Sequence, residues 1–396
     1  MIKTKLNKMK YWSMALICGA AFCCSSNAYS HELPEGAVPL VKSETCASCH
    51  PVIYQEWQES FHANSSALKD PAHGAVHQAF LKAMEQQGKQ GNYHCANCHA
   101  PMADNLKDLM SGKAELDSSN WTHNEGTGCT FCHRIDSIVE KKMFNQYRLN
   151  KDGAFHTSRP VNAKAPHKMA QSALFAEGQV CMGCHSHKLN GKDVPICMMK
   201  DEADGNCISC HMSEAEGSPT VNAAAKTHRS HRMPGGHDME MLEKAATLET
   251  ELKTEGKKWH LVVTVNNMIK HTFPSTNPMR MAFIKVVAKD KEGNKVWENF
   301  TDSPMEDKQA LFFKAFKAGE EKGVPSWAAD GVAFDTRLKA GESRELTYTL
   351  ADPSITEVDI ILFYRLFPPK AIKGFSIPED GVNEKLYPVA KQTVTL

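Results

Sequence analysis

The pattern Cys-x-x-Cys-His occurs five times between residues 46 and 211, and nothing else in the chain constrains its fold as strongly. The copies are Cys46-Ala-Ser-Cys49-His50, Cys95-Ala-Asn-Cys98-His99, Cys129-Thr-Phe-Cys132-His133, Cys181-Met-Gly-Cys184-His185 and Cys207-Ile-Ser-Cys210-His211. Composition alone gives roughly 0.02 such matches in a chain of this length, so the repeat is not accidental. The spacing is that of covalent c-type haem attachment, in which two thiols bond one porphyrin and the adjacent His is the proximal iron ligand. Zinc would need four ligands per site and has no use for a His after every second Cys. Only Cys181/Cys184 with Cys207/Cys210 approach a zinc-ribbon spacing. A thioredoxin-like pair would need a βαβ context that is absent. The expectation is five covalently bound haem c groups, with iron held proximally by His50, His99, His133, His185 and His211.

Residues 1–30 read as a secretory signal. Lys3, Lys5, Lys8 and Lys10 precede an apolar run from Met14 to Cys24, and Ala28-Tyr29-Ser30 offers a cleavage site. That run is too short to span a bilayer comfortably, and no later stretch approaches the length needed. The expected location is the periplasm or, after export, the cell surface. Of the 14 Cys, three lie in the signal and ten in the motifs, leaving Cys197 as a structural thiol. Loss of the signal leaves 42 basic against 46 acidic residues. Haem propionates add negative charge, which argues against nucleic acid. It suits docking with other redox proteins, basic ones or membrane-bound quinol dehydrogenases among them. A homo-oligomer is a further option.

After the first motif, Pro51 opens a helix on which Ile53, Trp57 and Phe61 make one apolar face. A second helix is expected over Ala75–Gln86, with a loop from Gly88 to Asn92. Between the motifs the periodicity is weak, so porphyrins must supply much of the interior and folding should depend on their attachment. Ser213–Ala225 reads as a linker. From about Ala245 the period becomes two. Strands are expected at Thr247–Thr254, Lys258–Val265, Ala282–Lys289, Lys295–Asn299, Gly331–Arg337, Arg344–Leu350, Thr356–Leu366 and Ala390–Leu396. The fold class is therefore a mostly α and irregular multihaem domain (31–244) followed by an all-β immunoglobulin-like sandwich (245–396).

Fourteen His lie outside the motifs, enough for a second imidazole on every iron. The candidates for the distal side are His62, His167, His231, His237 and His271. His228 lies three residues before His231, and one of that pair is spare. His271 sits in the β-region and would staple the two regions together. Met ligation is the lesser option, since Met mostly packs.

The segments Thr45-Cys46-Ala-Ser-Cys49-His50 with Tyr54, Trp57, Ser60 and His62, Gly126-Thr-Gly-Cys129, Ala165-Pro-His167 and His231-Arg-Met-Pro-Gly-Gly-His237 resemble the multihaem cytochrome c superfamily. The likeness is to the tetrahaem electron acceptor of hydroxylamine oxidoreductase and to octahaem tetrathionate reductase relatives, over residues 44–240. It implies haems stacked in parallel and perpendicular pairs, with His62 and His167 as distal ligands. Relatives that act on small nitrogen or sulfur species raise the alternative of a reductase with one open haem. Against it, no motif is Cys-x-x-Cys-Lys, and five haems fall short of the octahaem enzymes. The expected function is electron relay through closely packed, mainly bis-His haems, with no catalytic residue.

Overall fold

The computed structural model describes residues 31, 33–161, 165–186, 188–203 and 205–396. The expected signal, 1–30, and His187 lie outside the described residues.

In the first half, short helices and two-stranded ribbons wrap a large interior. Helix Pro51–Glu59 starts directly after His50 with Pro at its first turn. It stops at extended Ser60, so Phe61 leaves the expected apolar face. Trp57 stays buried and donates its indole N–H to Thr127 O at 2.9 Å. Helix Pro71–Gln86 begins four residues earlier than the periodicity suggested. The Asp70 carboxylate caps it, accepting from the N–H groups of Ala72 and His73.

One part of this half does build its own core. Tyr93, Ala96, Ala100, Ala103, Leu106, Leu109 and Met110 cluster around helix Leu106–Ser111, which ends on left-handed Gly112. Three ribbons complete the half. Ile135–Val139 pairs antiparallel with Gln146–Leu149, Phe155–Thr157 parallel with Met169–Gln171, and Glu214–Glu216 antiparallel with Thr227–Arg229. The last corrects the linker reading of Ser213–Ala225, because Ala215 pairs with His228.

The second half is β-rich. One sheet runs Lys295–Glu298, Met281–Lys289, Glu357–Arg365, Tyr387–Thr395, with Leu311–Phe312 also on Met281–Lys289. A second runs Ser343–Leu350, Lys258–Asn267, Ala246–Glu255. Alternation does what it should. Leu261, Val263 and Val265 of one sheet and Ile284, Val286, Val358, Ile360 and Leu362 of the other share one buried cluster.

All eight expected strands are present to within a few residues. A three-stranded sheet of Glu321–Lys322, Lys314–Ala318 and Gly331–Asp335 holds two strands that periodicity did not reveal. The reason is Lys314. It interrupts the apolar pattern yet is buried, its ammonium donating to Pro195 O at 2.8 Å and Ile196 O at 3.3 Å.

The halves pack extensively. Val194 and Ile196 meet Phe316 and Ala329, and Ala72 meets Ile372 and Ile377. Asn190 Nδ2 donates to Ser326 O and Ala329 O at 2.8 and 2.9 Å. No helix among the described residues is long and apolar enough to cross a membrane.

Candidate cofactor cavity

The motifs fold alike. In four of them the His N–H closes one helical turn on the first Cys carbonyl: His50 on Cys46, His99 on Cys95, His133 on Cys129 and His185 on Cys181, at 2.9–3.0 Å. The fifth lies on helix Cys207–His211, where Asn206 Oδ1 accepts from Ile208 and Ser209 N–H. One turn puts residues three and four apart on a single face, so each motif presents two sulfurs and an imidazole together.

All ten motif cysteines and all five motif histidines line one connected cavity of about 3220 Å³. A single cofactor site encloses about 300–1,000 Å³. Protein interiors otherwise pack like organic crystals. The space therefore suits several large planar groups.

The sulfurs also show which motifs are neighbours. Cys46 hydrogen-bonds Cys129, Cys98 bonds Cys184 and Cys181 bonds Cys207. In each pair the shared proton, then burial, pushes one thiol up: Cys46, Cys184 and Cys181. The first motif thus lies beside the third, the second beside the fourth, and the fourth beside the fifth.

Tyr147 stands where they converge, buried with Cys184, Cys132, Cys181 and Cys98 around it. It lies so close to the fourth motif that a Cβ on Gly183 would fall 1.9 Å from its Cζ. Glycine in that spacer is a steric requirement. Neither Tyr147 nor this adjacency had any signal in the sequence, since both are long-range.

Three motif histidines face a second imidazole across the cavity. Ring centroids are 6.4 Å apart for His50 and His167, 6.0 Å for His62 and His185, and 6.2 Å for His133 and His231. Two imidazoles on opposite sides of one metal, each bonded at about 2 Å, place their centroids roughly 6 Å apart. Backbone carbonyls hold the Nδ1–H of His50 (Pro219, 2.8 Å), His133 (His156, 2.8 Å), His211 (Pro234, 2.7 Å), His231 (Arg229, 2.8 Å) and His271 (Thr272, 3.1 Å). This is the outer support that orients a metal-binding imidazole through its other nitrogen.

Burial, reinforced by neighbouring imidazoles, lowers His62 and His231 to about 4. Both are thus held in the neutral form that binds metal. His271 is lowered by burial and by the charge of His211. Lys270 beside it packs on Gly205, two residues before Cys207; a Cβ there would meet Lys270 at 3.2 Å.

Other histidines are spoken for. His228 uses both nitrogens, on Gly217 O at 2.9 Å and Glu56 at 3.0 Å, which leaves neither for a metal. His123 is held by Asp117 N–H and Asn105. His237 does not face a motif histidine among the described ring contacts. Its ring stacks on Phe61 at 3.8 Å, and burial with the charge of Arg280 lowers it to about 4. His73 lies only 4.0 Å from His99, too close for a metal between them. Cys197 bonds Thr276 Oγ1 at 3.3 Å, and burial pushes its thiol up.

Residues 45–134 match the family model described as Cytochrome c554 and c-prime. The solved structure of a penta-heme cytochrome c552 from Thermochromatium tepidum is similar to this chain, with a TM-score of 0.74 and 24% sequence identity, covering 90% of this chain and 99% of that one. A structure of superoxide reductase in the oxidized state covers 38% of this chain and 86% of that one, at 10% identity and a TM-score of 0.18. No curated protein matches the sequence. The family match covers the first three motifs and the likeness of fold extends over most of the chain; both support a multihaem cytochrome c.

Proposed function

We propose that the chain binds five haem c groups and relays electrons through them. The observation that carries this reading is the set of three imidazole pairs 6.0–6.4 Å apart, each with one motif histidine. On this reading Cys46/Cys49, Cys95/Cys98, Cys129/Cys132, Cys181/Cys184 and Cys207/Cys210 hold the porphyrins, and the motif histidines are proximal. His167, His231 and His62 complete the irons of the first, third and fourth motifs. His271, whose neighbour Lys270 packs on Gly205 just before the fifth motif, completes the fifth. Bound haem supplies one-electron iron chemistry. The chain's part is to keep four irons closed by a second imidazole and to set the order of the groups.

The sulfur contacts support an order in which the first and third motifs are adjacent, Tyr147 joins the third to the fourth, and the second and fifth both branch from the fourth. The C-terminal region reads as an immunoglobulin-like sandwich. Counting its eleven strands in chain order, the first, second and ninth form one sheet, and the third, tenth and eleventh run side by side in the other. Export to the periplasm or cell surface and docking with other redox proteins complete the reading.

The test is low-temperature electron paramagnetic resonance with near-infrared magnetic circular dichroism on purified holoprotein. At least four low-spin bis-imidazole irons are expected. Methionine charge-transfer bands at these irons would overturn the ligand set. Tight nitrite or carbon monoxide binding at one haem, with turnover, would favour the reductase instead.

A further inference from the structure

His271 reaches the cavity on a loop that belongs to the β-region, and that loop is pinned along its length. Asn267 Nδ2 donates to His271 O at 2.9 Å. Phe273 exchanges backbone bonds with Leu338 at 2.8 and 3.0 Å. Arg337, next to Leu338, donates through one guanidinium nitrogen to Ser275 O at 2.9 Å and Thr276 O at 3.3 Å.

The same guanidinium is buried and faces two carboxylates. Asp335, two residues earlier in the chain, lies at 2.7 Å. Glu202, at 3.3 Å, comes from the haem-motif half, five residues before Cys207. Arg337 therefore ties the backbone of the His271 loop to the segment that leads into the fifth motif. A planar fork with five donors can satisfy two carbonyls and two carboxylates at once, which an ammonium cannot.

We infer that Arg337, clamped by Glu202, is a positioning residue that holds His271 at the fifth haem, so that the β-region sets the coordination of one iron and is more than a cap. The inference rests on the reading of His271 as an iron ligand. Outer-shell partners of this kind typically change metal–ligand affinity about 10–100-fold when removed.

The experiment uses full-length holoprotein carrying His271→Ala, Arg337→Gln, Arg337→Lys or Glu202→Gln. Carbon monoxide titration of the reduced protein and the potential of each haem are measured together. His271→Ala should open one haem in five to carbon monoxide. If it opens none, the ligand reading fails and the inference with it. If it does open one, Arg337→Gln and Glu202→Gln should raise the carbon monoxide affinity of that same haem about 10–100-fold, shift its potential and leave the other four unchanged. Arg337→Lys should restore part of the effect.

Glu202→Gln keeps the Arg337–Asp335 pair, so it carries the test if Arg337→Gln fails to fold. Wild-type carbon monoxide affinity and potential at that haem in Glu202→Gln, beside an open haem in His271→Ala, would overturn the positioning role.

Discussion

The two halves are built on different interiors. In residues 246–395 the chain fills its own core, with Leu261, Val263, Ile284 and Ile360 meeting from opposing sheets. In residues 46–245 the centre is a cavity of about 3220 Å³ lined by sulfurs and imidazoles, with small apolar clusters at its margins. The difference teaches where folding information resides. A self-filling core must write its periodicity into the sequence. A cofactor-filled one needs only attachment points and ligands at the right places.

The largest effect should therefore come from withholding the cofactor. The chain produced without haem attachment should lose ordered structure over residues 46–245 while the β-region stays folded, since binding energy of this kind is folding energy. Limited proteolysis with mass spectrometry checks it. Equal digestion of both halves would break the contrast.

The opposite probe attacks the polypeptide core. Leu261 and Ile284 are fully buried between the sheets. Leu261→Ala or Ile284→Ala should cost about 2–5 kcal/mol. Denaturant unfolding should show the loss in the β-region, while the haem optical spectrum in native buffer stays unchanged. A changed spectrum would mean that the interface through Val194, Ile196 and Phe316 transmits core strain to the haems.

The same contrast explains what could be read in advance. The eight expected strands followed from alternation, and Lys314–Ala318 did not, because its buried lysine finds carbonyls in the other half. Attachment residues were legible because two thiols and a His must share one helical turn. The histidines proposed for the distal side were harder. Nothing local separates His231 from His228, and only the fold turns one ring toward His133 and the other onto Glu56. Tyr147, held between motifs by contacts from Cys98 to Cys184, has no local signature at all.

That residue gives the third prediction. Gly183→Ala drives a methyl into the Tyr147 ring, and should cost about 1–3 kcal/mol and perturb the haem of the fourth motif. Tyr147→Leu in the same chain should recover part of the loss, because residues in contact couple. Additive costs in the double mutant, measured by unfolding followed at the Soret band, would mean that the two do not share one space.

The smallest effect belongs to Glu56, the one buried carboxylate of the haem-side wall among the described residues. Glu56 is buried and accepts the His231 N–H at 2.8 Å and the His228 ring at 3.0 Å. Burial pushes its carboxyl up, but these hydrogen bonds outweigh it and leave it below its ordinary value of 4.5. A carboxylate depressed in the folded state stabilises the fold fully above its unfolded value, and that contribution is lost as pH falls through the folded value. Glu56→Gln should therefore cost about 1 kcal/mol near neutral pH. The gap from wild type should narrow as pH falls below about 4.5. It is read from denaturant unfolding at a series of pH values. A gap that stays constant into acid would mean that the charge of Glu56 does not hold the His228–His231 loop, and that in this half, too, packing without charge sets the ligand in place.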